Sequence, residues 1–160
     1  MSENKNVQEQ ASSEKQFIVF RLGEEEYGVE ILQVQTIERM LPITRVPHAP
    51  EFVEGVSNLR GSVVPIMDLR SRLGLPPKEP TNESRVITVK MEDVMVGMIV
   101  DAASDVVKVP TSAIEPPPSV IGGVESTYLE GVAKLEDRLL VLLKLAEVLK
   151  KDEVQQLKDI

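Results

Sequence analysis

Phe52-Val53-Glu54-Gly55-Val56, with Leu59 just beyond, returns as Tyr128-Leu129-Glu130-Gly131-Val132 with Leu135, an offset of 76 residues. At an offset of 69, Ile18, Phe20, Arg21, Leu22, Tyr27, Gly28 and Val29 fall on Ile87, Val89, Lys90, Met91, Val96, Gly97 and Met98. Each repeat therefore reads as hairpin, crossing segment, aromatic-apolar-Glu-Gly-Val, hairpin. The offsets differ by seven residues, a length change placed in the crossing segment, where loops tolerate it cheaply.

The apolar runs are short, β-branched and separated by turn signals, which predicts strands. Four hairpins result: Phe17 to Leu22 with Glu26 to Ile31, Gly55 to Leu59 with Ser62 to Asp68, Arg85 to Met91 with Val94 to Val100, and Gly131 to Leu135 with Leu139 to Leu143. The repeat predicts two similar β lobes of about 65 residues, each too small to bury much more than about 60% of its surface alone, so the lobes share a core. Closure into small barrels removes exposed sheet edges.

Gly28 and Gly97 lie mid-strand, at a barrel bend or a close backbone approach. Pro65 lacks an amide donor, so Ser62 to Asp68 is expected to be an edge strand or to bulge there; the aligned Val141 has no such restriction. Helix is scarce: Asp68 caps a short one ended by Gly74, and Leu145 to the C-terminus reads as one helix with a Glu147–Lys151 pair. The organisation expected is a disordered polar arm over 1–16, one domain over 17–150 and a helical tail over 151–160.

The 160 residues hold 18 Lys plus Arg against 26 Asp plus Glu, one His and no Cys, for a net charge of -8. Without cysteine there is no disulfide framework, thiol nucleophile or thiolate metal site, and one histidine builds no multi-histidine site; no cofactor is expected. The acidic balance argues against nucleic acid and anionic membrane surfaces. No apolar run approaches the roughly 20 residues of a spanning helix, and Met1 to Gln16 is no signal peptide, so a cytoplasmic protein is expected.

His48, in the Pro-bracketed loop Val46 to Pro50, has no base or nucleophile placed beside it and reads as solvated. There is no phosphate-binding loop, and Asp101 and Asp105 lack calcium-loop spacing. Asn58-Leu59-Arg60-Gly61 reads two ways: a hairpin turn with Gly61 at positive φ, or a guanidinium presented to a partner. A small-ligand-binding β-barrel, or an enzyme using Asp101 and Asp105 as paired carboxylates, is the competing function. It requires one carboxyl with a raised pKa in a cleft.

Phe17-Ile18-Val19-Phe20, Tyr27-Gly28-Val29-Glu30-Ile31-Leu32, Gly55-Val56-Ser57-Asn58-Leu59-Arg60-Gly61, Val64-Pro65-Ile66-Met67-Asp68-Leu69-Arg70 and Asp101-Ala102-Ala103-Ser104-Asp105-Val106 together resemble the CheW-like family of bacterial chemotaxis coupling proteins. The match runs from about Phe17 to Leu149. The resemblance implies an all-β fold of two SH3-like five-stranded β-barrel lobes sharing a core, with a C-terminal helix. It further implies a non-enzymatic adaptor linking methyl-accepting chemoreceptor cytoplasmic tips to the histidine kinase CheA, recruited to membrane-associated receptor arrays. The length leaves no room for the catalytic domains of CheA or a receiver domain. By this resemblance the receptor groove carries over to Val34, Arg60, Val86, Gly97, Ala103 and Val106, and the kinase-facing surface to Glu54, Gly55, Val56 and Val63. Thr36 departs from an acidic residue found there in some members, which puts a charge contact at that position in doubt. For Val86 and Val106, core packing is the competing reading.

Overall fold

The computed structural model describes residues 13–160; the expected disordered arm lies outside them except at its end. The chain forms β1 (Glu14–Leu22), β2 (Glu25–Glu30), β3 (Val34–Arg39), β4 (Val53–Leu59), β5 (Ser62–Asp68), α1 (Leu69–Arg72), β6 (Arg85–Met91), β7 (Val94–Val100), β8 (Ala102–Pro110), β9 (Ile114–Glu115), β10 (Val120–Ile121), β11 (Val124–Glu125), β12 (Leu129–Lys134), β13 (Leu139–Leu143), α2 (Leu145–Val148) and α3 (Lys151–Lys158). The first strand begins at Glu14 rather than Phe17, because Glu14, Lys15 and Gln16 pair with Pro110, Val109 and Lys108 of β8. No helix is long and apolar enough to cross a membrane among the described residues.

Two main sheets form, in the orders β8-β1-β2-β13-β12-β9 and β3-β6-β7-β5-β4. Each draws strands from both repeats, which corrects the expectation of one contiguous lobe per repeat. The hairpin β1–β2 sits beside β13 in one lobe, and β6–β7 sits beside β5 in the other. The exchange is made by two parallel ladders in equivalent register: Leu142 opposite Gly28, and Ile66 opposite Gly97. Each lobe is closed by a bent segment that pairs at both sheet ends. In one, β8 pairs with β1 and its continuation β9 with β12. In the other, β3 pairs with β6 and Thr44, further along, bridges to Val56 of β4. The six-strand count of the first sheet thus reflects β9, whose counterpart is the single Thr44 bridge.

Strands buried on both faces explain the near-continuous apolar runs. On β1, Ile18, Phe20 and Leu22 point into a large shared core while Phe17 and Val19 point into their own lobe, as alternation across a strand requires. On β13, Val141 and Leu143 face the shared core, and Leu140 and Leu142 the lobe. Leu59, Val64, Ile66 and Val86 make the interior of the second lobe. Phe20 and Tyr27, cross-strand partners, stack with ring centroids 5.7 Å apart, and burial, aided by the nearby Glu25 charge, pushes the Tyr27 hydroxyl up to about 12.

Gly28 and Gly97 stand in unbroken ladders, so close approach, not a bulge, accounts for them. A Cβ at Gly97 would lie 2.7 Å from both Ile66 Cδ1 and Val86 Cγ1. Pro65 is not on an edge strand, since β5 lies between β7 and β4. Val56, its partner, exchanges both backbone hydrogen bonds with Thr44 at 2.8 Å, so Val56 and Pro65 form a non-hydrogen-bonded pair. The proline nitrogen therefore points toward β7, whose ladder with β5 begins only at Ile66.

Asp68 caps α1 by accepting from the Arg70 amide at 3.1 Å, and Gly74 follows at φ 79°. The expected single C-terminal helix is two, broken at Leu149-Lys150, so Glu147 and Lys151 fall on different helices. The break lets Val148, Leu149, Val154 and Leu157 all reach the shared core, which makes the expected tail part of the packed domain. The C-terminal helices are fixed by Arg72 of α1, which donates to the Val148 carbonyl, pairs with Glu153 and lies over the Phe52 ring.

Candidate functional site

The two crossing strands carry the first group of site residues. Val34 on β3 and Ala103 on β8 occupy equivalent positions, opposite Val89 and Phe20, and both pack against the shared core. Beyond them Ile37 and Val106, opposite Ile87 and Ile18, are again equivalent, and both turn to solvent. Val106 is 50% exposed, which removes core packing as its reading. Just before Val34, a single 3-10 turn over Ile31–Gln33 presents Leu32, 90% exposed.

Val86 and Gly97 do not join that surface. Val86 is 2% exposed inside the second lobe, and Gly97 is buried against it, so both shape the lobe from within rather than contact a partner. Their apolar strand context gave no means of telling an inner from an outer face.

Arg60 stands at the tip between β4 and β5. Arg60 and Gly61 both take positive φ, 53° and 87°, as a two-residue hairpin turn requires, and Asn58 Oδ1 accepts the Gly61 amide at 3.0 Å. Its side chain is 77% exposed, and its Nε lies 3.2 Å from Glu38 Oε1 of β3. Position 36 carries no such contact: the Thr36 hydroxyl is 2.6 Å from that of buried Thr88, which also accepts the Thr36 amide across the β3 bulge. The acidic partner of the turn is therefore Glu38, two positions further on, which the sequence reading missed. Carrying the 69-residue offset past Val34 would have brought up Ile37 beside Val106; Glu38 leaves no such trace.

The second group lies on β4 and β5. Glu54 is exposed, Val56 is half-buried and Val63 is 68% exposed. Gly55 is buried and backs the surface: its Cβ would meet the Thr44 carbonyl oxygen. Val56, Val63 and Pro65 border a shallow depression whose far wall is Val94, Met95, Leu157 and Ile160. Those four residues come from distant sequence, and nothing local marks them.

The two aspartates considered as paired carboxylates are committed to ion pairs. Asp101 accepts Arg70 Nε at 3.0 Å, Arg70 Nη2 at 2.9 Å and the Gly23 amide at 2.7 Å, with Lys78 Nζ at 3.7 Å. Burial opposes its ionisation, but the Arg70 hydrogen bonds, the Gly23 amide and the two cations outweigh it and hold the carboxyl below the usual range. Asp105 pairs instead with Arg138, which also grips Glu26 at 2.7 Å. Hydrogen bonds from Arg138 and Ser104 likewise lower the Asp105 carboxyl. Two aspartates in separate ion-pair clusters, both shifted down, contradict the paired-carboxylate reading, which needed one shifted up. His48 sits exposed at φ 64° in its loop. No three metal-ligating side chains gather among the described residues.

A family model described as a CheW-like domain matches residues 16–153. The chain is 40% identical over 141 residues to the chemotaxis protein CheW of Bacillus subtilis, covering 88% of this chain and 90% of that one. It is 38% identical over 139 residues to the CheW of Rhizobium meliloti, with coverage of 87% and 90%. Among solved structures, the scaffolding protein TtCheW from Thermoanaerobacter tengcongensis superposes with a TM-score of 0.77 at 35% identity, over 88% of this chain and 91% of that chain. With Asp101 and Asp105 committed to separate ion pairs and a match across nearly all its described length, this chain belongs to the CheW-like family of non-enzymatic chemotaxis scaffolds.

Proposed function

We propose that this scaffold couples the cytoplasmic tips of methyl-accepting chemoreceptors to the histidine kinase CheA within membrane-associated receptor arrays. The observation that supports the reading is the presence of two sets of exposed apolar side chains on different elements of one packed domain. One lies on the crossing strands with exposed Leu32, Ile37 and Val106; the other lies on the β4–β5 hairpin with exposed Val63. A receptor tip, a helical hairpin, docks an apolar stripe against the first face, with Val34 and Ala103 behind it and Arg60 at its margin. The kinase regulatory domain engages the second, around Glu54, Val56 and Val63. Few aromatic anchors are available, so each contact is of moderate affinity and is made effective by multivalent assembly. Titrating a receptor-tip hairpin into the labelled protein is expected to move the amide resonances of Leu32 to Ile37 and Ala103 to Val106. Shifts confined to the Glu24 turn overturn the receptor assignment.

A further inference from the structure

Arg39 and Arg85 stand directly opposite each other across the β3–β6 ladder. Like charges so placed repel, which costs stability unless an anion answers them. Four other arginines, Arg60, Arg70, Arg72 and Arg138, each hold a carboxylate. Among the described residues no carboxylate comes within ion-pair distance of Arg39 or Arg85. The adjacent Glu38 gives no relief, because alternation turns it to the other face of β3, where it meets Arg60.

The pair adjoins exposed Ile37. Side chains two apart on a strand share a face, so Arg39 follows Ile37 on β3 and Arg85 precedes Ile87 on β6, at the margin of the first contact group. Arg85 is half-buried, and its Nη1 donates to the Asn82 and Ser84 carbonyls at 2.9 and 2.7 Å. One guanidinium is therefore held in place with its Nε and Nη2 donors outward of those bonds, and exposed Arg39 can close on an anion from beside it. A planar guanidinium meets a carboxylate through two parallel hydrogen bonds, which suits this pair to that group. The other lobe carries a weaker version. At the 69-residue offset, Lys108 and Gln16 stand opposite each other beyond Val106 and Ile18, one cation in place of two.

We infer that the partner docking on Ile37 and Val106 is an amphipathic helix with carboxylates beside its apolar stripe, and that Arg39 and Arg85 receive those carboxylates. The inference rests on the receptor-tip reading of this face and adds the charge the tip must carry there. A chain of net charge -8 repels an acidic helix over most of its surface. An uncompensated cation pair at one end of the apolar contact therefore fixes where such a helix is accepted and in which orientation.

A receptor-tip helical hairpin is titrated into the full-length protein and into its Arg39→Gln/Arg85→Gln variant at low and high salt. The variant is expected to bind about five-fold more weakly at low salt and to lose most of the salt dependence. Its Tm is expected to stay level or rise, because the repulsion is gone. If the double variant does not fold, Arg39→Gln alone, which leaves the Arg85 hydrogen bonds in place, gives the same comparison. A hairpin with amides in place of the carboxylates beside its apolar stripe is expected to bind wild type more weakly and the double variant no differently, the coupling of a direct pair. Lys90→Gln, which removes an exposed cation elsewhere on β6, is expected to change nothing. Equal affinity and salt dependence in wild type and double variant, or an equal loss from Lys90→Gln, overturns this inference and leaves the receptor reading standing. A wild-type protein that binds no hairpin overturns both.

Discussion

The two crossing junctions of this chain occupy equivalent places and have opposite fates. Between β7 and β8, Asp101 is drawn into ion pairs with Arg70 and Lys78; between β2 and β3, Leu32 is held out to solvent. Inside, the repeats stay alike: Phe17 and Val86, Leu142 and Ile66, Gly28 and Gly97 take corresponding interior positions. Outside, they diverge. Val63 and Leu139 are both exposed at the start of the last strand of their hairpins, but Arg60 faces one turn where Glu136 faces the other. A duplicated core tolerates little change because both strand faces are packed. Its surfaces have been left to diverge, one junction closed by ion pairs and the other exposing an apolar side chain.

The glycine pairs give the largest expected effects. A Cβ at Gly55 would lie 2.4 Å from the Thr44 carbonyl oxygen, and at Gly131 the equivalent contact to the Glu115 carbonyl is 2.8 Å. Gly55→Ala is expected to cost about 3 kcal/mol in denaturant unfolding and Gly131→Ala about 2, because backbone must move in both. Gly97→Ala meets side-chain methyls at 2.7 Å, and Gly28→Ala meets Leu142 Cδ2 at 3.1 Å, so a smaller loss is expected for Gly97 and the least for Gly28. A reversed order within either pair breaks the claim that the repeats share one interior geometry.

Asp101 and Leu32 come next. The Asp101 carboxyl titrates lower in the folded chain than in the unfolded one. Its stabilisation is therefore fully present above the ordinary carboxylate range and is lost as pH falls through the lowered value. Asp101→Asn is expected to cost about 1–2 kcal/mol near neutral pH, a difference that shrinks toward zero in strong acid. Leu32→Asn is expected to change stability by no more than about 0.5 kcal/mol at any pH. Chemical unfolding of both variants across pH checks this, and a pH-independent cost for Asp101→Asn contradicts it.

The smallest stability effect belongs to Arg60. Arg60→Glu places like charges at the Glu38 contact, but on an exposed turn it is expected to lower Tm by no more than roughly 3 °C while weakening receptor-tip binding. Glu136→Arg, its counterpart, is expected to leave both unchanged. A large loss of Tm from Arg60→Glu, read by calorimetry, makes Arg60 structural.

The strands, hairpins and repeat were legible because alternation, turn residues and two offsets record local geometry. Which repeat supplies which lobe was not. Exchange of β1–β2 against β6–β7 is carried by the parallel ladders at Gly28 and Gly97, and a parallel partner leaves no trace at fixed sequence distance. The same limit hid the interior place of Pro65, which depends on Thr44 taking both Val56 hydrogen bonds from the far side. Of the site residues, Val34, Ala103, Val106, Val56 and Val63 lie at or beside the two faces, whereas Val86 and Gly97 belong to the interior. Strands packed on both sides give those two classes the same apolar signature. The walls added by Glu38 and Ile160 come from elements joined only in three dimensions.

Co-sedimentation with receptor-tip membranes and CheA tests the central claim, that the two faces have separate partners. Leu32→Asp is expected to lose receptor binding and keep kinase binding, and Val63→Asp to lose kinase binding and keep receptor binding, with both variants folded by circular dichroism. Two folded variants that each lose both partners, or that each retain both, contradict it.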